Sequence, residues 1–212
     1  MQRVQQLHEF AHTWLRRELV PSDGVTVAAD LRLPTALREI YQTIGSVSAF
    51  TSPHNQLRAP HDIEVVGDYH IFYDENQWVV RWAFRTADTE ADDPIVWQGT
   101  TQHDGYDWYS EDMSLSNWIQ VMTLWQLVNG GYKFGACSGG IPDAKLVVEA
   151  HFPWVGGHKD GSTRFYGVPG QLICLAGPEG IPSVWVAGST PDDLAALSST
   201  LGFEWDYYSA DD

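Results

Sequence analysis

The sequence predicts an α+β protein in which an antiparallel or mixed twisted sheet is flanked by helices. Three observations lead there: two amphipathic helical stretches near the N-terminus, a change to strand periodicity at Ile63, and a second group of strand-like runs ahead of a capped C-terminal helix. The 212 residues are expected to form a single domain, a core followed by a C-terminal strand-strand-helix extension over residues 129–212.

In residues 2–19, Val4, Leu7, Ala11, Trp14, Leu15 and Leu19 share one side of a helix. Pro21, Asp23 and Gly24 end it. A second helix follows in residues 33–45, with Pro34 at its start, Leu37, Ile40, Tyr41 and Ile44 on its apolar face, and Gly45 as its stop. From Ile63 to Phe84, aromatic or β-branched residues alternate with polar ones. Breaks at Gly67-Asp68 and Glu75-Asn76 divide this run into three short antiparallel strands.

Residues 94–100 read as a further strand, and Ser114 or Ser116 can cap a helix that ends at Gly130-Gly131. In the last third, residues 144–150, 170–177 and 182–188 look strand-like, and Thr190-Pro191 starts a final helix with an N-cap and a proline in its first turn.

Composition limits the function. Hydrophobic residues make up 43% and include ten Trp, which places the chain among packed globular proteins and away from disorder. The net charge of −16 repels phosphate backbones and anionic headgroups, so neither nucleic acid nor membrane is an expected partner. A basic protein is. Two cysteines, Cys137 and Cys174, are too few for a disulfide scaffold or a thiolate zinc site, although one disulfide stays open. With no apolar run of spanning length and no apolar leader, a cytoplasmic protein is expected.

The charge is unevenly placed. Between Arg85 and Lys133 there is no Lys or Arg, and this stretch holds eight acids, half of the net charge. Glu179, Asp192, Asp193, Glu204, Asp206, Asp211 and Asp212 follow Arg164 without a basic residue among them. Like charges on loops either face solvent or await a cationic partner. Because Tyr106, Trp108 and Tyr109 are interleaved with the first group, residues 88–112 are taken as acidic, aromatic loops that bind a partner. The candidate contact residues are Asp88, Glu90, Asp92, Asp93, Asp104, Asp107, Trp108, Tyr109, Glu111 and Asp112. The competing possibility is that Trp108 and Tyr109 pack on the sheet.

Two patterns suggest catalysis. His8-Glu9-Phe10-Ala11-His12 matches H-E-x-x-H, in which two imidazoles one helical turn apart bind zinc and the glutamate acts as general base. Glu39 is a candidate third ligand, but a motif starting at residue 8 leaves no room for a preceding substrate-aligning strand. Residues 135–139, Gly-Ala-Cys-Ser-Gly, outline a nucleophile elbow around Cys137, for which His151 would be the base. Pro142 follows too soon for the helix that such an elbow needs. His54, His61, His70, His103 and His158 show no ligand spacing, and no nucleotide-binding glycine pattern occurs. No catalytic residue, metal or cofactor is therefore expected.

Several segments also fall in a familiar order. Leu33-Pro34, Leu37, Tyr41 and Gly45 resemble the opening helix of the SUKH superfamily, which includes the Smi/Knr regulators and bacterial immunity proteins. Phe72 to Trp78 with Trp82 is similar to that family's central hairpin, Asp93-Pro94-Ile95-Val96-Trp97 to its next strand, and Leu115-Ser116 with Trp118-Ile119 to its closing helix. The resemblance covers residues 30–128 and implies a non-catalytic α+β scaffold that neutralises a toxin, often a basic nuclease. A regulatory scaffold of the Smi/Knr kind is the other function it implies.

Overall fold

The computed structural model describes residues 2–178 and 180–209, so Glu179, Asp211 and Asp212 of the C-terminal acidic series lie outside the described residues. The fold is α+β, with two antiparallel sheets. It divides into two compact units, one containing the N-terminal helix up to His12 and residues 17–119, the other Thr13–Arg16 and the chain from Gln120 onward. The division falls between residues 119 and 120, ahead of the residue-129 boundary that the sequence suggests.

In the first unit, helix α1 (Gln2–Leu15) buries Leu7 and Ala11 on the expected stripe. It stops at Leu15 rather than Leu19 because Arg16 takes a left-handed backbone, φ 55°, which cannot continue the helix. Helix α2 (Thr35–Ile44) buries Leu37, Ile40, Tyr41 and Ile44 as its spacing predicts, and α3 (Ser48–Thr51) is a single turn. The acidic loop serves α2 directly: the backbone N–H groups of Thr35 and Ala36 donate to the carbonyls of Ala91 and Asp92 at 3.2 and 2.9 Å. Those are donors that a helix start otherwise leaves open.

The first sheet holds β1 (Gln56–Leu57), β2 (Glu64–Val66), β3 (Tyr69–Asp74), β4 (Val80–Arg85), β5 (Ile95–Gln102) and β6 (Gly105–Ser114). Its order is β1-β3-β4-β5-β6, with β2 also on β3, so β6 is a ten-residue edge strand. One face carries Phe72, Tyr73, Trp82 and Phe84, which close around Trp118 of helix α4 (Leu115–Gln126) with ring centroids 5.1–5.6 Å from it for Tyr73, Trp82 and Phe72. Trp118, Phe72 and Phe84 are fully buried, so this aromatic cluster is the core of the unit.

The second unit holds the sheet β12-β7-β11-β10-β9-β8, made of β7 (Phe134–Ser138), β8 (Trp154–Gly157), β9 (Thr163–Val168), β10 (Gln171–Ala176), β11 (Ser183–Gly188) and β12 (Tyr207–Tyr208). Its helices are α5 (Ala144–His151) and α6 (Pro191–Leu201). They bury Ala144, Val148, Leu194, Leu197 and Leu201 against Ala136, Ile173, Leu175, Val184 and Val186 on one face of the sheet. The strands expected at residues 170–177 and 182–188 and the helix opened by Thr190 all form, the Thr190 hydroxyl accepting from Asp193 N–H at 3.1 Å.

One expectation is overturned. Residues 144–150 are helical, because Ala144 and Val148, four apart, are buried while Leu146 between them is 67% exposed, a period of 3.6 and not of 2.

Candidate functional site

Residues 88–112, read from sequence as acidic, aromatic loops around a strand at residues 94–100, are mostly a β-hairpin in which that strand forms as β5. The β5–β6 register pairs Gln98 with Tyr109, Gly99 with Trp108, Thr100 with Asp107 and Thr101 with Tyr106. Strand alternation then separates the candidate residues. Tyr106 and Trp108 share a face with Arg81, Ala83, Trp97 and Gly99, whereas Asp107 and Tyr109 share the opposite face with Trp82 and Gln98. The single acidic and aromatic surface expected from the sequence is therefore corrected to two surfaces.

Several of the acids work inside the fold. Asp92 accepts from Arg3 at 2.5 Å, and this bond holds its carboxyl below the usual range. Asp93 accepts from the Ser116 N–H at 2.9 Å and from the Ser116 hydroxyl at 2.5 Å, which caps α4 from a distant loop instead of from Ser114 or Ser116 themselves. Glu111 accepts from the Trp82 indole N–H at 2.7 Å. Glu90 lies 3.8 Å from Arg32, both side chains being well exposed, and Asp88 ends a turn of 3-10 helix at Thr86–Asp88. Three carboxylates are left over: Asp104 at the hairpin tip, Asp107 and Asp112 are exposed, beside Tyr109 at 56% exposure. Among the described residues no Lys, Arg or His forms an ion pair with these three. The Asp112 carboxylate takes a bond from the Ser110 hydroxyl at 2.8 Å.

Trp108 settles onto the sheet, as the competing possibility held. A Cβ at Gly99 would come within 2.7 Å of the Trp108 ring, so only glycine lets the indole lie there. Trp108 stacks on Tyr69 with centroids 4.1 Å apart and planes 10° from parallel. From this pair a ladder runs both ways across the sheet. Tyr106 lies 5.4 Å from Trp108, and the Arg81 guanidinium is 5.4 Å from the Tyr106 ring and 5.6 Å from Trp78. On the other side Trp97 meets Tyr69 at 5.8 Å, and Arg85 sits 5.7 Å from Trp97. Trp78, 53% exposed and held at φ 62°, forms the outer end in the β3–β4 turn. Sequence reasoning singled out Trp108 and Tyr106 but missed Tyr69, Trp97, Arg81 and Arg85. The available signal was the period-2 spacing of Tyr106 and Trp108, and of Trp97, Gly99 and Thr101.

The catalytic patterns fall in other surroundings. His8, Glu9 and His12 are all exposed on α1, with His12 3.3 Å from Glu18 and Glu9 accepting from Gln5 at 3.0 Å. Glu39, the candidate third ligand, pairs with Arg3 at 2.9 Å. Among the described residues no three His, Cys, Asp or Glu side chains are grouped to hold a metal.

Cys137 lies within β7, paired with Trp185 and Tyr207, and not at a strand-to-helix turn. Burial and then the Asp206 charge push its thiol up, away from the thiolate form. Its neighbour Ala136 faces α5, so Cys137 faces away from the helix that bears His151, and the His151 Nδ1 lies 2.9 Å from the Val147 carbonyl. Cys137 does border a cleft of about 270 Å³ with Tyr132, Lys133, Trp185, Tyr207 and Ser209, and no histidine lines it. Cys137 and Cys174 are both free. Trp185 of β11 lies between them in the ladder, a two-strand span of about 9.6 Å. That exceeds the reach of a disulfide.

No helix among the described residues is long and apolar enough to cross a membrane. No family model, curated protein or solved structure matches the chain.

Proposed function

We propose that this chain is a non-enzymatic binding protein of the toxin-immunity kind, which neutralises a basic protein domain through its β5–β6 hairpin. One observation carries the proposal: Asp104, Asp107 and Asp112 stand exposed on an edge hairpin with Tyr109, in a stretch that holds half of a net charge of −16 and no Lys or Arg. Exposed carboxylates with no internal cation raise the local negative potential, which speeds the approach of a positive partner and repels other anions. A nuclease domain must be basic to hold its own substrate, and an anionic edge can compete for the same groove. The immunity assignment itself comes from the SUKH resemblance of residues 30–128.

Co-expression tests this. Cells that make a basic toxin encoded beside this chain's gene are expected to grow when the chain is present and to die without it. Equal death with and without the chain would contradict the proposal.

A further inference from the structure

We infer that β6 is a docking edge on which the basic partner lays an extended segment as an added antiparallel strand, with its basic side chains on the Asp107 face and its apolar ones beside Trp108. This rests on the proposed basic partner and adds to it the mode of contact: backbone pairing together with charge.

The register shows which β6 groups are open. Gln102 and Gly105 close the hairpin around the two-residue turn His103-Asp104. On β5 the Thr101 N–H donates to the Val79 carbonyl at 2.9 Å, so Gly99 and Thr101 bond toward β4, and Gln98, Thr100 and Gln102 toward β6. Their partners Tyr109, Asp107 and Gly105 therefore pair inside the hairpin. Tyr106, Trp108 and Ser110 direct their N–H and C=O groups away from β5, where β6 has no further neighbour. Among the described residues none of these three N–H groups finds an acceptor.

Proteins commonly blunt an edge by making it short or by placing proline or lysine on it. β6 runs for ten residues with neither. Its acids oppose pairing with a second copy of this chain, which would bring like charges alongside, and favour a strand of opposite sign.

Strand alternation places the charge complement. Asp107 and Tyr109 lie on the face of Trp82 and Gln98, and the 2.7 Å bond from the Trp82 indole N–H holds Glu111 on that face too. No Lys or Arg occurs from residue 86 to residue 132. Basic residues at every second position of an added strand would stand beside these carboxylates. The opposite face presents the Tyr106 and Trp108 rings with the Arg81 guanidinium 5.4 Å from Tyr106, so apolar side chains fit there and cations do not. Main-chain bonds then supply affinity, and the alternating side chains supply selectivity.

The test uses a peptide of four Lys-Val repeats, titrated into the full chain, with amide exchange read by nuclear magnetic resonance. In the free chain the N–H groups of Tyr106, Trp108 and Ser110 are expected to exchange faster than those of Asp107 and Tyr109. Peptide binding is expected to slow the first three by about tenfold or more. In an antiparallel strand the valines lie opposite those three residues and their N–H groups must reach β6, so N-methylation of the valines is expected to weaken binding by about tenfold. N-methylation of the lysines, whose N–H groups point away, is expected to leave it unchanged. Ser110→Pro removes one outward donor and is expected to weaken the unmodified peptide. Should that variant fail to fold, the methylated peptides carry the test on the native chain.

Equal binding of all three peptides, with unchanged exchange at Tyr106, Trp108 and Ser110, would overturn the edge and leave attraction to a basic partner standing. Greater sensitivity to lysine than to valine methylation would overturn the antiparallel strand and its basic face. Exchange at these three residues that slows with chain concentration alone would assign the edge to a second copy and also overturn it. Absence of binding by the unmodified peptide would count against the edge and the basic partner together.

Discussion

Asp23 illustrates how one carboxylate can be fixed by its neighbours. The Arg17 guanidinium donates to both of its oxygens at 2.7 and 2.8 Å, and the Val20 N–H donates at 2.8 Å. The Arg17 hydrogen bonds come first among the causes that bring its pKa down to about 2. Because the folded value lies below the unfolded one, near 4, the stabilisation is complete above about pH 4 and is lost as pH falls toward 2. Asp23→Asn is therefore expected to melt at a lower temperature than the native chain at pH 7, with the gap closing as both are acidified to pH 2. A gap that stays constant with pH would contradict this assignment. Other acids differ in kind. Asp92 is paired with Arg3 and Glu111 is tied to the Trp82 indole N–H, whereas Asp104 and Asp107 are exposed and form no ion pair with a described residue, which leaves them open to a partner.

At the scale of elements, the β5–β6 hairpin is shaped by what lies on each face. Gly99→Ala would bring a methyl within 2.7 Å of the Trp108 ring and push it off Tyr69. A cost of about 1–3 kcal/mol is expected, measured by denaturant unfolding, with altered near-ultraviolet dichroism from the displaced stack. Asp93→Ala removes the acceptor for Ser116 N–H at the start of α4 and is expected to cost about 1 kcal/mol by the same measurement.

These two residues also show what sequence could and could not reveal. Helix α2 was legible because Leu37, Ile40, Tyr41 and Ile44 repeat at helical spacing within thirteen residues. The strands β3 and β4 were legible from local alternation between two turn signals. The α4 cap was not legible, since Asp93 reaches Ser116 across 23 positions. Likewise, Trp108 meets Tyr69 only through sheet pairing, so the stack has no local signature. Tyr106, Asp107 and Trp108 did alternate, but the acids within and around them, Asp104, Asp107, Glu111 and Asp112, suggested a loop. Helix α5 was misread because Val147 and Val148 favour strands in isolation, and only tertiary burial of Ala144 and Val148 decides its period.

For the whole molecule, the charge of −16 is the dominant electrostatic fact, and it is not spread evenly along the chain. The sequence suggested that all of the acids in residues 88–112 face a partner; the fold uses Asp92, Asp93 and Glu111 for itself and leaves fewer free. If the partner is basic, the long-range attraction of those that remain governs how fast it arrives and is screened by salt over about 8 Å at physiological ionic strength. The most direct test is the association rate of the chain with the toxin domain it rescues, measured against salt concentration for the native protein and for Asp104→Asn/Asp107→Asn/Asp112→Asn. The native rate is expected to fall by about tenfold or more from low to physiological salt, and the triple variant to start slower and fall less. Rates that are independent of salt, or identical in the two proteins, would contradict an anionic hairpin made to meet a cationic partner.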